Sequence, residues 1–311
     1  MAVARAEIER AAALLRGGRQ VAFPTETVYG LGASALDPEA VARIFAVKGR
    51  PATSPLIVHA STAAMARSLT REWPNAAARL AVEFWPGPLT LVLPKVASIP
   101  AIVTAGLDTA GVRVPAHPVA LELIEAAGVP VAAPSANRFT ELSPTRAEHV
   151  RQSLGSAVDM ILDGGSTTVG IESTVLSLAG GQARLLRPGM ISRADIESVI
   201  GPVELAHRIE ENGESHPSPG MHHRHYSPRT PMIAGSPPPA GRCAYLWITR
   251  ELSAARAVPM PSKPAAYAAM LYAVLHELDA EGYDAIVFEP PPSGADWAAI
   301  RDRLERASAQ S

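Results

Sequence analysis

The chain has 311 residues, of which 47% are hydrophobic and 19% are charged, and its formal net charge is -2. This composition is typical of a soluble globular protein with a large core, in one large or two ordinary domains, and its net charge gives no overall bias toward nucleic acid, membranes or acidic substrates. The single cysteine, Cys243, excludes an internal disulfide network and a cysteine-rich zinc site, and it fits a cytoplasmic location.

The N-terminal residues predict a helix rather than a targeting segment. Charged residues, among them Arg5 and Glu7, interrupt the apolar residues there, so we expect no signal peptide. Residues 3–16 predict an amphipathic helix that ends at Gly17-Gly18. No uncharged run of about 18 apolar residues occurs in the chain, so no membrane span is expected either.

The stretch 23–32 follows a short predicted strand at 20–23 and combines a proline, hydroxyl side chains and two glycines. Pro24 cannot donate to a sheet ladder and should end the strand. Gly30 and Gly32 predict a loop that wraps a ligand, with an ordinary polar loop as the alternative that this stretch alone leaves open. The run 30–35 also fits a G-x-G-x-x-A dinucleotide pattern, but Lys48 and Arg50 stand where that pattern requires an acidic residue. A dinucleotide site is therefore disfavoured.

Helices and short strands alternate through the next 150 residues. Helices are predicted at 38–47, from 61, at 118–127 and at 145–153, and strands at 56–59, 89–93, 112–114, 131–133, 159–162, 173–178 and 183–186. The interleaving predicts an α/β sheet with helices packed on its face. Because strands follow one another without helices near 160–186, we expect the sheet to be mixed.

The composition changes near residue 207 and divides the chain. We predict a first domain at 1–207, a Pro/Gly/His-rich linker at 208–241 and a second α/β unit at 242–311. The second unit is small for an independent domain and should dock on the first. The run 222–226 contains three histidines without a carboxylate or thiolate beside them, so a loop that covers a ligand is favoured over a metal site.

Basic and hydroxyl side chains recur at the ends of predicted elements. The set is Lys48, Arg50, Ser54, Thr109, Arg113, Ser135, Asn137, Ser173 and Arg187. The chain has no G-x-x-x-x-G-K-[ST] P-loop. If the four cations of the set converge, they could neutralise a polyphosphate without one, since arginines grip oxygens in a bidentate manner.

Several motifs in series resemble the YrdC/Sua5 family. They lie at 24–32, 48–51, 55–59, 85–90, 113–115 and 134–137, in the family's order, and 218–228 resembles a segment of the longer, two-domain Sua5 branch. The resemblance covers about residues 1–231. It implies a twisted, open, mixed α/β sheet with a positively charged concave surface, followed by a small Rossmann-like C-terminal domain.

The resemblance also implies an activity. L-Threonine, bicarbonate (or CO₂) and ATP would give threonylcarbamoyl-AMP and pyrophosphate, a nucleotidyltransferase reaction in the making of the tRNA nucleoside t6A. Mg²⁺ would arrive with ATP rather than in a site built by the protein. Downstream proteins would transfer the threonylcarbamoyl group, and weak contact with tRNA is expected.

Site residues follow from the resemblance position by position. The implied catalytic tetrad around the phosphates is Lys48, Arg50, Ser135 and Asn137. The implied ATP-binding residues are this tetrad with Ser54, Thr109, Ser143 and Arg187, and with His225 and Tyr226 from a linker that acts as a lid. The implied threonine site consists of Thr27, His59, Arg113, Ala133 and Ser173.

Three alternatives stay open at this point. The chain could be a different carbamoyl-adenylate enzyme on the same fold, as in hydrogenase maturation, although the acylphosphatase-like and zinc-finger segments of those proteins do not occur here. It could be a module that binds tRNA or double-stranded RNA, which the net charge of -2 disfavours. It could also be an inactive regulator, which the intact tetrad disfavours.

Overall fold

The computed structural model describes residues 3–206, 225–237 and 241–309. Most of the predicted linker, including His222-His223, lies outside these ranges. Two sheets are described, one of ten strands and one of four. None of the described helices has the length and apolar character needed to cross a membrane.

The elements are numbered in chain order over the described ranges. The α-helices are α1 (Arg5–Arg16), α2 (Pro38–Lys48), α3 (Ala63–Ser68), α4 (Asn75–Phe84), α5 (Pro118–Ala127), α6 (Ala147–Leu154), α7 (Arg193–Ile200), α8 (Pro264–Ala280) and α9 (Ala298–Ser308). The strands are β1 (Val21–Pro24), β2 (Tyr29–Ser34), β3 (Ile57–His59), β4 (Leu89–Pro94), β5 (Thr109–Arg113), β6 (Val131–Ala132), β7 (Met160–Ile161), β8 (Thr174–Ser177), β9 (Arg184–Arg187), β10 (Glu204–Leu205), β11 (Met232–Ala234), β12 (Cys243–Trp247), β13 (Arg256–Pro259) and β14 (Ala285–Phe288). Short 3₁₀ helices lie at Ala101–Thr104, Gly155–Ala157 and Ala295–Trp297.

The large sheet is mixed, as predicted. Its strand order is β10-β9-β8-β4-β5-β3-β6-β2-β1-β7, and parallel pairs such as β3–β5 and β4–β8 stand beside antiparallel pairs such as β4–β5 and β8–β9. The small sheet has the order β11-β14-β12-β13 with parallel pairing throughout. Both sheets carry helices, so the α/β assignment is confirmed.

The loop predicted around Gly30 and Gly32 is instead strand β2, and that prediction was wrong. Tyr29–Ser34 pairs with β1 in antiparallel register, and neither glycine has a positive φ. A Cβ at position 32 would lie 2.7 Å from the Phe23 ring and 2.8 Å from the Val131 side chain. Gly32 therefore serves close packing on the sheet, and the turn proper is limited to residues 25–28. Pro24 is the last residue of β1.

Helix α2 begins at the predicted residue 38 and ends at Lys48, one residue beyond the predicted 47. Asp37 caps its N-terminus by accepting hydrogen bonds from the backbone of Glu39 and Ala40 at 3.0 and 3.1 Å. Gly49 ends the helix in the left-handed conformation, with φ of 62°. This sharp turn places Lys48 at the end of the helix and redirects the chain at Arg50. Helices α4 and α7, which contact each other, were missed from the sequence.

The C-terminal unit, from β11 to α9, docks on the large sheet through an apolar interface, and its first strand lies within the segment predicted as linker. Val28 and Ile171 share one buried cluster with Tyr267 and Leu271 of α8. Gly170 has φ of 80°, and a Cβ there would lie 2.3 Å from the carbonyl oxygen of Ala268. The two backbones thus approach more closely than any side chain would allow. Docking lets this small unit add to its own core by burying apolar surface against a larger one.

Candidate active site

A cleft opens at one edge of the large sheet, where the ends of several strands meet. The antiparallel and parallel pairings bring the ends of β3, β5 and β9 and the start of β8 to this edge. Ten of the residues predicted from the sequence line it, namely Thr27, Arg50, His59, Arg113, Ala133, Ser135, Ser173, Arg187, His225 and Tyr226. Polar groups that converge on one concave site mark the default position for ligand binding.

Arg113 is held in the cleft by three neighbouring groups. Its Nη2 lies 2.7 Å from Glu26 Oε1, its Nη1 donates to Thr27 Oγ1 at 3.1 Å, and its Nε donates to the carbonyl oxygen of Gly87 at 3.2 Å. Glu26 also accepts from the backbone of Ala116. Arg113 and Glu26 are both buried. A guanidinium oriented in this way offers a pre-set fork to a carboxylate.

Arg187 is held against Ser173. Its Nε and Nη2 donate to the carbonyl oxygen of Ser173 at 3.1 and 3.0 Å, and Nη2 also donates to the Ser173 hydroxyl at 3.2 Å. The same hydroxyl lies 2.8 Å from the hydroxyl of Thr90 on β4. One predicted threonine-site residue and one predicted ATP-site residue are therefore in direct contact.

Lys48 is the last residue of α2, Arg50 follows after Gly49, and both side chains bond to backbone carbonyls. Lys48 Nζ donates to the carbonyl oxygens of Ser135 and Asn137. Arg50 donates to those of Ser54 and Pro55 at 3.2 and 3.0 Å. Burial, and then the neighbouring Arg50, holds the pKa of Lys48 well below its usual value, and burial lowers the pKa of Arg50 to about 10. The lysine fixes the 135–137 loop at the cleft wall.

His59 contributes a neutral imidazole. Burial, and then the charge of Arg113, lowers the pKa of His59 to about 3, so the ring is uncharged at neutral pH. Its ring meets the ring of Phe23 edge-on at a centroid distance of 6.3 Å. The register pairs His59 with Arg113 on adjacent strands, which explains their proximity.

Five predicted site residues do not line the cleft: Lys48, Ser54, Thr109, Ser143 and Asn137. Lys48 and Ser54 lie behind the cleft wall. Lys48 bonds there to the backbone of the 135–137 loop, and the carbonyl oxygen of Ser54 accepts from Arg50. Asn137 donates through its amide to the carbonyl oxygens of Arg138 and Glu141, both at 2.9 Å. Ser143 donates to Glu172 at 2.6 Å. Thr109 begins β5, at the opposite end from Arg113. Their roles toward ATP stay predictions.

The described part of the predicted lid returns to the cleft at His225 and Tyr226. The His225 backbone donates to the carbonyl oxygen of Arg306 at 3.3 Å, and the Ser227 backbone donates to that of Thr140 at 2.9 Å. Tyr226 has φ of 62°, which is unusual for a bulky residue. The chain is thus anchored on both sides of the two residues that line the cleft. The preceding linker residues lie outside the described ranges.

Sequence reasoning missed three groups that support the site. Glu26 and Glu172 are buried carboxylates, each paired with an arginine, and Arg303 comes from helix α9. The position of Glu26 inside the motif at 24–32 was a usable signal for its role. No local pattern distinguishes Arg303, because its partner Glu172 lies 131 residues away in the sequence.

The described residues, 3–206, 225–237 and 241–309, give no support for a metal site built from the protein's own side chains. They include no group of three or more His, Cys, Asp or Glu side chains that could hold an ion. The cleft presents guanidinium, hydroxyl and imidazole groups, which suit an anionic ligand, and the carboxylate of Glu172 that also lines it is paired with Arg303. Mg²⁺ carried by nucleotide phosphates is still a prediction.

Comparisons with known proteins cover nearly the whole chain. The Sua5/YciO/YrdC family model, described as "Telomere recombination", matches residues 13–189, and the model described as "Threonylcarbamoyl-AMP synthase, C-terminal domain" matches residues 191–309. A threonylcarbamoyl-AMP synthase of Bacillus subtilis is 42% identical over 97% of this chain and 93% of its own length. One of Pyrococcus abyssi is 49% identical over 73% of this chain and 67% of its own.

A solved structure is similar over the full fold. The crystal structure of P. abyssi Sua5 complexed with L-threonine superposes with a TM-score of 0.93 at 39% identity, covering 99% of this chain and 96% of that one. The likeness includes both sheets, since it spans the C-terminal unit as well.

Proposed function

The chain belongs to the Sua5/YciO/YrdC family, and from that premise we propose that it is an L-threonylcarbamoyladenylate synthase. It converts L-threonine, bicarbonate and ATP into threonylcarbamoyl-AMP, pyrophosphate and water. The observation that carries the proposal is the convergence of Arg50, Arg113 and Arg187 on one cleft. Guanidiniums bind both carboxylates and phosphates in bidentate fashion, so three of them in one cleft suit a site that takes an amino-acid carboxylate and a triphosphate together.

The reaction needs little covalent work from the protein. The amine of threonine adds to bicarbonate with loss of water and becomes a carbamate. A carbamate oxygen then bonds to the α-phosphorus of ATP, the bond from that phosphorus to the β-phosphate oxygen breaks, and pyrophosphate leaves. Two anions must meet in this step, so positioning and charge neutralisation carry most of the catalysis.

The threonine side of the cleft is assigned to the wall around Arg113. Its guanidinium, already oriented by Glu26 and Thr27, binds the substrate carboxylate. The uncharged imidazole of His59 can accept or donate one hydrogen bond without repelling the substrate's amine. Ser173 supplies a hydroxyl, and Ala133 supplies backbone groups. The threonine named in the P. abyssi structure supports this choice of substrate.

The nucleotide side is assigned to the remaining cations and hydroxyls. Arg50 and Arg187 face the cleft and take the phosphates, while Lys48 holds the 135–137 loop. Mg²⁺ enters with ATP. The further nucleotide-binding residues of this proposal are Ser54, Thr109, Ser135, Asn137, Ser143, His225 and Tyr226.

The product defines the rest of the proposal. A carbamoyl-adenylate is a reactive mixed anhydride, so it must pass to another protein that transfers its threonylcarbamoyl group to tRNA. Residues that return over the cleft at 225–226 exclude water from it. Weak contact with tRNA and a cytoplasmic location belong to the same proposal.

The decisive experiment measures pyrophosphate release while each substrate is omitted in turn. We expect release that depends on ATP, threonine and bicarbonate together. Release that is indifferent to threonine contradicts the proposal. Tight tRNA binding with a steep salt dependence, in the absence of turnover, would favour the RNA-binding alternative instead.

A further inference from the structure

Arg303 is fully buried beside the cleft although it belongs to α9 of the C-terminal unit. Its Nε donates to Glu172 Oε2 at 2.7 Å, and its Nη2 donates to the carbonyl oxygen of Pro188 at 3.1 Å. Its Nη1 donates to Asp302 at 2.6 Å. A buried guanidinium is tolerated only when its donors are satisfied in this manner. The C-terminal unit thus places a cation inside the wall of a site on the large sheet.

Arg303 bonds to Glu172, which itself lines the cleft, and to Pro188, and both are chain neighbours of further cleft residues. Glu172 precedes Ser173, and Pro188 follows Arg187. Ser173 and Arg187 bond to each other through the contacts described above. A single side chain therefore fixes both flanks of this pair, and a shift of Arg303 would be transmitted to both cleft residues.

Glu172 connects Arg303 to further residues around the cleft through hydrogen bonds. Its carboxylate accepts from Ser143 Oγ at 2.6 Å and from Tyr272 Oη at 3.2 Å, in addition to Arg303. Burial alone raises the pKa of Glu172, but the charges of Arg303 and Arg187 outweigh it and the pKa is lowered, so the carboxylate is ionised at neutral pH. An ionised carboxylate with three donors has a fixed orientation, which makes it suited to holding neighbours.

Arg303 of α9 also contacts the segment that covers the cleft, through Tyr226. The guanidinium carbon of Arg303 lies 5.1 Å from the centroid of the Tyr226 ring, in cation–π geometry. The Tyr226 ring is also 6.0 Å from that of Tyr272. Tyr226 lines the cleft, so α9 and α8 determine where its ring stands.

We propose that Arg303 is a positioning residue of the active site, acting through Glu172 and Pro188 on Ser173 and Arg187 and through its ring contact on Tyr226. The inference rests on the proposed function for the identity of the substrates. It assigns the C-terminal unit a part in catalysis. Substituting Arg303 should raise the KM for both threonine and ATP, because Ser173 and Arg187 serve different substrates.

The test compares full-length variants in the pyrophosphate assay and by calorimetric titration with threonine and with ATP. Arg303→Met should raise both KM values about tenfold, which is less than the roughly hundredfold that a displacement of about 1 Å in a site can cost. Arg303→Lys should raise both KM values less than Arg303→Met does. The matched control is Arg301→Met, on the same helix, since Arg301 bonds to the carbonyl oxygens of Pro292 and Gly294 within its own unit; it should behave as wild type.

A double variant separates positioning from stability. Arg303→Met leaves Glu172 buried without its cation, whereas Arg303→Met with Glu172→Met removes both charges and should regain thermal stability. If the double variant regains stability but keeps the raised KM values, the positioning role is supported. If the double variant has wild-type KM values, or if Arg303→Met itself has wild-type KM values, the inference is overturned.

Failure of the proposed function has a separate signature. It would show as a wild-type protein that releases no pyrophosphate with threonine, bicarbonate and ATP. The calorimetric titrations still report on Arg303 in that case. Weaker binding of threonine or ATP by Arg303→Met than by Arg301→Met supports positioning, and equal binding contradicts it.

Discussion

The imidazole rings of His149 and His276 stack with a centroid distance of 3.9 Å and an angle of 22° between their planes. His149 belongs to α6 on the large sheet and His276 to α8 of the C-terminal unit, so the stack joins the two. Burial lowers the pKa of both rings, and that of His149 falls to about 3, with further contributions from His276 and Arg146. Both rings are therefore neutral when the units are docked.

This stack predicts acid sensitivity. A histidine whose folded-state pKa is below its unfolded value near 6.5 stabilises the fold above that pH and loses its contribution as the pH falls toward 3. The free energy of unfolding should decrease between pH 7 and pH 5, and His149→Gln should reduce that decrease by about 1–2 kcal/mol. Denaturant titrations at both pH values check this. An equal decrease in wild type and variant would contradict it.

Arg113→Ala should impair the use of threonine far more than the use of ATP. The guanidinium faces the cleft while Glu26 and Thr27 hold it, and loss of a charge-assisted contact to a carboxylate costs about 1.5–3 kcal/mol, or roughly ten- to a hundredfold in kcat/KM for threonine. Steady-state kinetics with each substrate varied provide the measurement. Arg184→Ala, which removes an exposed pair with Glu204, is the control. Equal losses for both substrates would argue against the assignment.

Glu26→Gln should lower the stability of the free protein and enlarge its response to threonine. The substitution leaves Arg113 buried without its anion, which costs about 3–5 kcal/mol when a buried pair is broken. A bound threonine carboxylate would then supply the missing negative charge. Thermal unfolding with and without threonine should show a lower Tm and a larger upward shift than in wild type. A shift no larger than that of wild type would contradict this role.

Lys48→Ala should severely reduce pyrophosphate release, by about a hundredfold or more. The ammonium holds the carbonyl oxygens of Ser135 and Asn137, so its loss releases the cleft wall and removes a positive charge near the phosphates. Turnover at saturating substrate, with circular dichroism to verify folding, is the measurement. Near-normal turnover would exclude Lys48 from the tetrad.

Gly32→Ala should lower the free energy of unfolding, even though alanine is at least as compatible with a strand as glycine is. The added Cβ would lie 2.7 Å from the Phe23 ring and 2.8 Å from Val131 in a buried layer, and overpacking of this kind costs about 1–3 kcal/mol. Gly17→Ala is the matched control, because its Cβ would come no closer than 3.4 Å to any atom and its φ is -84°. Equal Tm values for the two variants would show that β2 can relax.

Local chemistry made several elements predictable. Asp37 and Gly49 bound α2 because a side-chain cap and a left-handed glycine act within a few residues of themselves. Helix α5 is found at the predicted bounds, 118–127, for the same kind of reason. The prediction of a loop at Gly30 and Gly32 was wrong. A glycine required for close packing cannot be distinguished from one required for a turn until its neighbours across the sheet are known.

The α/β class and the mixed sheet were predictable from the order of helices and strands, and the motifs identified the family and most residues that line the cleft. Only the folded chain reveals that Glu26 orients Arg113, that Lys48 lies behind the cleft wall, and that Arg303 reaches the site from the C-terminal unit. The difference lies in the range of the interactions. Helix caps, turns and periodicity depend on residues close in the chain, whereas a buried ion pair such as Glu172–Arg303 depends on how distant elements pack.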